Sequence, residues 1–161
     1  MQKLKNILFY VFMVACMLIL GFYRDFVFKN INALLQAWDH NIDYSMPSSL
    51  RFFSHYDYDT LVNIKWLLTL VFSMAYLGIS LAVIRFMFHK RNYTRITLAA
   101  YAGIILVSAL LIATGILFKS SSEKMYEFAR YLMGMAQSPI VAMILIPAFK
   151  LAEKEKTTTN L

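Results

Sequence analysis

Long runs without a charged residue, separated by short polar stretches, dominate the chain. Eighteen uncharged residues lie between Lys5 and Arg24, 19 between Lys65 and Arg85, 23 between Arg95 and Lys119, and 19 between Arg130 and Lys150. A hydrocarbon layer about 30 Å thick takes about 20 apolar residues, each rising 1.5 Å along a helix. Inside such a layer the backbone must satisfy its own hydrogen bonds, which selects helices over loops and open strands. The pattern predicts membrane-crossing helices over about 7–28, 61–88, 96–118 and 126–151. The expected fold is all-α: an integral membrane four-helix bundle, one domain over residues 1–161, with an outer loop at 29–60 and a disordered tail at 152–161.

The long first loop carries its own pattern. Ile31, Leu34, Leu35 and Trp38 recur at helical spacing, the stripe of a short amphipathic helix started near Asn30 or Asn32. Such a helix is expected to lie along the membrane surface with its apolar face in the headgroup boundary. Pro47-Ser48-Ser49 marks a turn, and Phe52, Phe53, Tyr56 and Tyr58 form an aromatic cluster suited to the interface. No internal repeat of the kind found in duplicated transporters is visible.

Composition agrees with this solvent. Sixty per cent of residues are apolar and 16% are charged, against about 25% charged in soluble domains. The charges also divide by side. With the first residues placed inside, the inner pieces carry Lys3, Lys5, Arg85, Lys90, Arg91, Arg95, Lys150, Lys154 and Lys156 against Glu153 and Glu155. The outer pieces balance seven cations against seven carboxylates. The whole net charge of +7 therefore falls on one side, as the positive-inside rule requires of an N-in, C-in chain. A basic face beside anionic lipid accounts for it, and no nucleic-acid partner is expected.

Candidate chemistry is sparse. The single cysteine, Cys16, cannot form an internal disulfide. Met13-Val14-Ala15-Cys16 loosely resembles a lipoprotein cleavage motif, but the apolar Met17-Leu18-Ile19-Leu20 after it favours an uncleaved helix with a buried thiol. His55, Asp57 and Asp59 alternate, and on a strand they would offer one nitrogen and two carboxylates to a cation; a solvated loop is the plainer reading. Arg24, Asp25, Lys65, Glu127 and Arg130 fall at one membrane boundary, where they can form a polar layer, with Glu127 and Arg130 spaced to pair. Snorkelling is the simpler account of Lys65 and Arg130. In the last span Gly134, Ser138 and Ala142 recur every four residues, a small-residue seam for close helix packing or a partner. Gln137 lies beside that seam, and Pro139 is expected to bend the helix. No HExxH, phosphate-binding glycine loop or intramembrane carboxylate pair occurs. The expectation is a non-enzymatic protein without cofactor or metal.

Arg130-Tyr131-Leu132, Gln137-Ser138-Pro139 and Leu145-Ile146-Pro147-Ala148-Phe149 resemble small multi-pass proteins associated with bacterial exosortases, the exosortase F- and exosortase X-associated families. Arg24 and the basic turn after Arg85 fit as well. The resemblance implies an accessory or scaffold protein of a protein-sorting system in the bacterial inner membrane, with an exosortase-type enzyme as partner. Exosortases use a Cys, an Arg and a His at the outer surface, and this chain lacks such a set. A small transporter or channel subunit, with the polar layer as its entrance, is the alternative. No substrate, ligand or oligomeric state follows from the sequence.

Overall fold

The computed structural model describes residues 2–117 and 122–159. Among them the chain is helical nearly throughout: α1 (Gln2–His40), a 3-10 helix (Ser48–His55), α2 (Tyr58–Phe88), α3 (Arg91–Leu117), α4 (Ser122–Ala136) and α5 (Ile140–Thr159). Three helices are long and apolar enough to cross a membrane, and α4 with α5 makes a fourth candidate span if the bent pair counts as one. α3 packs most extensively on α4, and α2 lies against α1 and α3.

The first correction concerns the surface helix. No break separates residue 28 from the stripe at Ile31, Leu34 and Leu35, because α1 runs on to His40. Its 39 residues extend about 58 Å at 1.5 Å per residue, nearly twice the hydrocarbon thickness. Ala33, Leu34, Leu35, Gln36 and Ala37 are good helix formers with no glycine or proline among them. The stripe is buried by protein, not by lipid: Val27, Ile31, Leu34 and Leu35 pack with Met46, Leu50, Phe53 and Leu61. The loop after α1 folds back over it. Only Trp38 of the stripe stays half exposed.

α1 ends on left-handed Asn41 (φ 52°). The Ile42 N–H donates to the Ala37 carbonyl at 2.9 Å and the Asn41 N–H to Trp38 at 3.4 Å, the paired bonds that close a helix end of this type. In the 3-10 helix, three residues per turn put Leu50 and Phe53 on one buried face.

Through the apolar spans, side-chain hydroxyls find partners inside the protein. The Tyr76 hydroxyl donates to the Met17 carbonyl of α1 at 3.0 Å. Gly21 makes that approach possible, since a Cβ there would sit 3.0 Å from the same hydroxyl. Ser80 and Tyr101 share a hydrogen bond of 3.0 Å between α2 and α3.

The predicted fourth helix is the second correction. It starts earlier, at Ser122, and the bend expected at Pro139 is present as a full break at Gln137-Ser138-Pro139, where α4 and α5 meet at 62°. Ser138 and Pro139 are the reason. The Ser138 hydroxyl accepts from the Ile140 N–H (3.4 Å), as a helix N-cap does, and proline suits the first helical position. The broken pair still runs the length of α3. At one end Met125 meets Thr114; at the other Phe149 stacks on Tyr93, with ring centroids 4.4 Å apart.

The third correction is the tail, which is helical as far as Thr159; residues 160 and 161 lie outside the described residues. Its Glu153 pairs with Lys90 in the α2–α3 turn. That hydrogen bond holds the Lys90 ammonium above its ordinary pKa.

Candidate functional site: a cationic pocket between α1, α2 and α4

α1, α2 and α4 enclose a cavity of about 540 Å³ on the side of the protein where α1 leaves the apolar zone. Arg24, Asp25 and Lys29 reach it from α1, Lys65 from α2, and Arg130 and Gln137 from α4 and the break that follows. Four cations thus line a space that holds one carboxylate. Aromatic and apolar groups, including Phe28, Trp66 and Tyr126, form the remaining wall.

Arg24 is the organised member. Its Nε donates to Gln137 Oε1 at 3.0 Å, one terminal nitrogen meets Asp25 at 2.8 Å, and the guanidinium lies 5.5 Å from the Phe28 ring centre. Gln137 is buried, at 4% exposure, and the Arg24 bond ties the break in the last span to α1. Asp25 points largely into solvent, with its side chain 71% exposed.

Lys65 sits two turns into α2, half-buried, and no carboxylate lies within ion-pair distance of it among the described residues. Arg130 faces the same cavity from α4. Burying a cation beside like charges is costly unless a counter-charge is supplied. Every charged group converging here except Asp25 is a donor, so the arrangement suits an anion.

The predicted polar layer is therefore brought together in part. Arg24, Asp25, Lys65 and Arg130 meet in the pocket, but Glu127 does not join them. Glu127 lines a more open groove along α4 with Lys124, Phe128 and Tyr131, which Arg130 also borders, yet it makes no ion pair with Arg130 among the described residues. The i, i+3 spacing permits a pair, but here both side chains are exposed, where such a bond gains little.

The small-residue seam is also corrected. With the helix broken at 137–139, Gly134 and Ser138 still border one groove along α4, but Ala142 lies beyond the break and does not line it. A Cβ added at Gly134 would meet nothing within 4 Å, so no backbone approaches there; Gly134 borders the pocket. Ser138 turns its hydroxyl to the Met135 carbonyl (2.8 Å). Ala142 is buried in the core with Met17, Tyr76, Leu77 and Tyr101.

His55, Asp57 and Asp59 do not form a strand. His55 closes the 3-10 helix, Asp57 is the N-cap position of α2, and Asp59 lies in its first turn. All three are exposed, and among the described residues no three His, Cys, Asp or Glu side chains gather as a metal site. Cys16 is half-buried in α1.

Sequence reasoning missed Lys29 as a pocket wall, because 29–60 was read as loop. It also missed the Ser-Pro helix start at 138–139, although an N-cap serine before a first-turn proline is a visible signal. Comparison of the chain with protein-family models, with curated proteins and with solved structures finds no match.

Proposed function

We propose that the chain is a non-catalytic accessory membrane protein of an exosortase-type sorting system in the bacterial inner membrane. It crosses the bilayer four times, with Lys3 and Lys154 on the cytoplasmic side and the cationic pocket facing outward. In that pocket it holds an anionic group brought by the sorting enzyme or its cargo. The observation that carries this reading is the charge of the pocket: four cations facing one carboxylate, with Lys65 half-buried and unpaired among the described residues. The residues behind the family resemblance support it. Arg24, Arg130 and Gln137, far apart in sequence, all line this one cavity.

The test is co-purification with a neighbouring exosortase-type enzyme from the native membrane. Lys65→Gln and Arg130→Gln are expected to reduce the co-purified enzyme severalfold at unchanged level of this protein. Lys150→Gln, at the other end of the molecule, leaves it unchanged. If the unaltered protein captures no such enzyme, the accessory role is wrong.

The broken last span favours a second reading, a small transporter. Discontinuous helices commonly form ion and substrate sites in transporters, and Gln137 in the break lines the cavity. Anion flux into proteoliposomes containing this chain alone decides for transport; a tight seal decides against it.

A further inference from the structure

At the opposite end of the molecule, the turn between α2 and α3 forms a second, independent basic cavity. Its volume is about 360 Å³, and Arg85, His89, Lys90, Arg91 and Thr94 line it. We infer that this cavity binds the phosphate group of an anionic phospholipid in the adjoining leaflet.

Three features lead there. Lys90 is committed to Glu153, whereas Arg85 and Arg91 have no carboxylate within ion-pair distance among the described residues. The cavity adjoins the first turn of α3, whose leading N–H groups lack helical acceptors and favour an anion. Lys90, immediately before that turn, has no side-chain acceptor with which to cap them.

The third feature is Thr94. Buried serine and threonine hydroxyls on these helices return a hydrogen bond to the carbonyl four residues back: Thr69 to Lys65, Ser73 to Thr69, Thr97 to Tyr93 and Ser108 to Ile104. Thr94 does not. Its hydroxyl is the one buried side-chain polar atom left without a partner among the described residues, at the wall of a cavity rimmed by two unpaired guanidinium groups. Rotation about the Thr94 Cα–Cβ bond turns this hydroxyl from its closed position to a phosphoryl oxygen in the cavity, and arginine pairs with phosphate bidentately.

Position selects the lipid as the source. Arg85 ends the uncharged run of α2, and Arg91 and Arg95 precede that of α3. The cavity therefore lies where hydrocarbon gives way to headgroups, the level at which basic pockets between spans hold acidic lipids.

Native mass spectrometry of the purified full chain, titrated with phosphatidylglycerol or phosphatidylcholine, tests this. Phosphatidylglycerol is expected to bind about tenfold more tightly, the equivalent of one charge-assisted contact. Arg85→Gln and Arg91→Gln each remove most of that preference, and Lys150→Gln, at the same end but outside the cavity, does not. Thr94→Val keeps shape and fold while deleting the hydroxyl, and it weakens phosphatidylglycerol binding severalfold at unchanged melting temperature. A third titration uses inorganic phosphate. Equal affinity for it, with the same variant pattern, supports the phosphate site and assigns it to the soluble ion. Equal binding of the two lipids overturns the inference. So does a Lys150→Gln loss as large as that of Arg91→Gln, or unchanged binding in Thr94→Val.

Discussion

Replacing Gly21 by alanine puts a methyl carbon 3.0 Å from the Tyr76 hydroxyl. That hydroxyl already donates to the Met17 carbonyl at 3.0 Å, and Tyr76 is 1% exposed, so the ring has no room to retreat. Either the interhelical bond breaks or α1 and α2 separate locally. A hydrogen bond between membrane helices contributes about 0.6 kcal/mol, at most ~1.7, and overpacking costs about 1–3 kcal/mol. Alanine returns about 1 kcal/mol of helix propensity over glycine. The net expectation for Gly21→Ala is a loss of roughly 1–2 kcal/mol, or about 2–8 °C in melting temperature for a chain of this size. Tyr76→Phe deletes both the donor and the atom that the methyl meets, and costs about 0.6–1.5 kcal/mol. In the Tyr76→Phe background, Gly21→Ala keeps its propensity gain without the clash, so it is neutral or stabilising. The effect of one substitution changes sign with the other. Melting of the four purified proteins in one mild detergent measures the cycle. Additive losses from the two changes would refute the contact and, with it, the docking of α1 on α2.

Two further tests address the last span and the orientation. Gly134→Ala, with open space around the new methyl, should raise the melting temperature by the equivalent of about 0.5–1 kcal/mol. Ser138→Ala removes the α5 N-cap and should lower it by the equivalent of about 1 kcal/mol; equal losses in both would restore the seam. Reporter fusions after Asp43 and Ser121 should read outside, and those after Asn92 and Thr158 inside; Asn92 reading outside would invert the proposed topology.

Much of the helical fold was legible because charge-free length is a strong signal in lipid, where the backbone has no alternative to helix. The stripe at Ile31, Leu34 and Leu35 was legible as a buried face, but its cover was not. Periodicity reports that a face is hidden, not what hides it. Here the cover is Leu50 and Phe53 on a 3-10 turn, an element too short for its pattern to say which surface it meets. The pocket was half visible for the same reason. Charges at one boundary point to a shared depth, which placed Arg24, Lys65 and Arg130 together. Which way each helix is rotated depends on tertiary packing, so the sequence did not separate Glu127, which lines the neighbouring groove, from the pocket, or join Gln137 to Arg24. The four-residue spacing of Gly134, Ser138 and Ala142 was carried past the bend expected at Pro139, and the break there leaves Ala142 in the core while Gly134 and Ser138 border a groove.

That break and the pocket belong to one feature. Non-helical backbone at membrane depth costs several kcal/mol per unmet polar group, and it is tolerated only when protein buries it or a hydrated cavity adjoins it. At the break Gln137 is buried and borders the cation-lined cavity, while Ser138 and Pro139 are half-buried. The Gln137 N–H donates to Met133 O at 3.1 Å, the Ser138 N–H to Met135 O at 3.2 Å, and the Met143 N–H to Pro139 O at 2.9 Å. The Ser138 hydroxyl takes the Ile140 N–H, and proline has no N–H to leave unmet. The Gln137 side chain accepts from Arg24 on one side and borders the cation-lined cavity on the other. A straight helix would need none of these arrangements. The bend therefore carries its own hydrogen bonds, and Arg24 fixes it to α1 as well as charging the pocket. Loss of Arg24 should then disturb the last span and the pocket together, whereas loss of Lys65 touches the pocket alone.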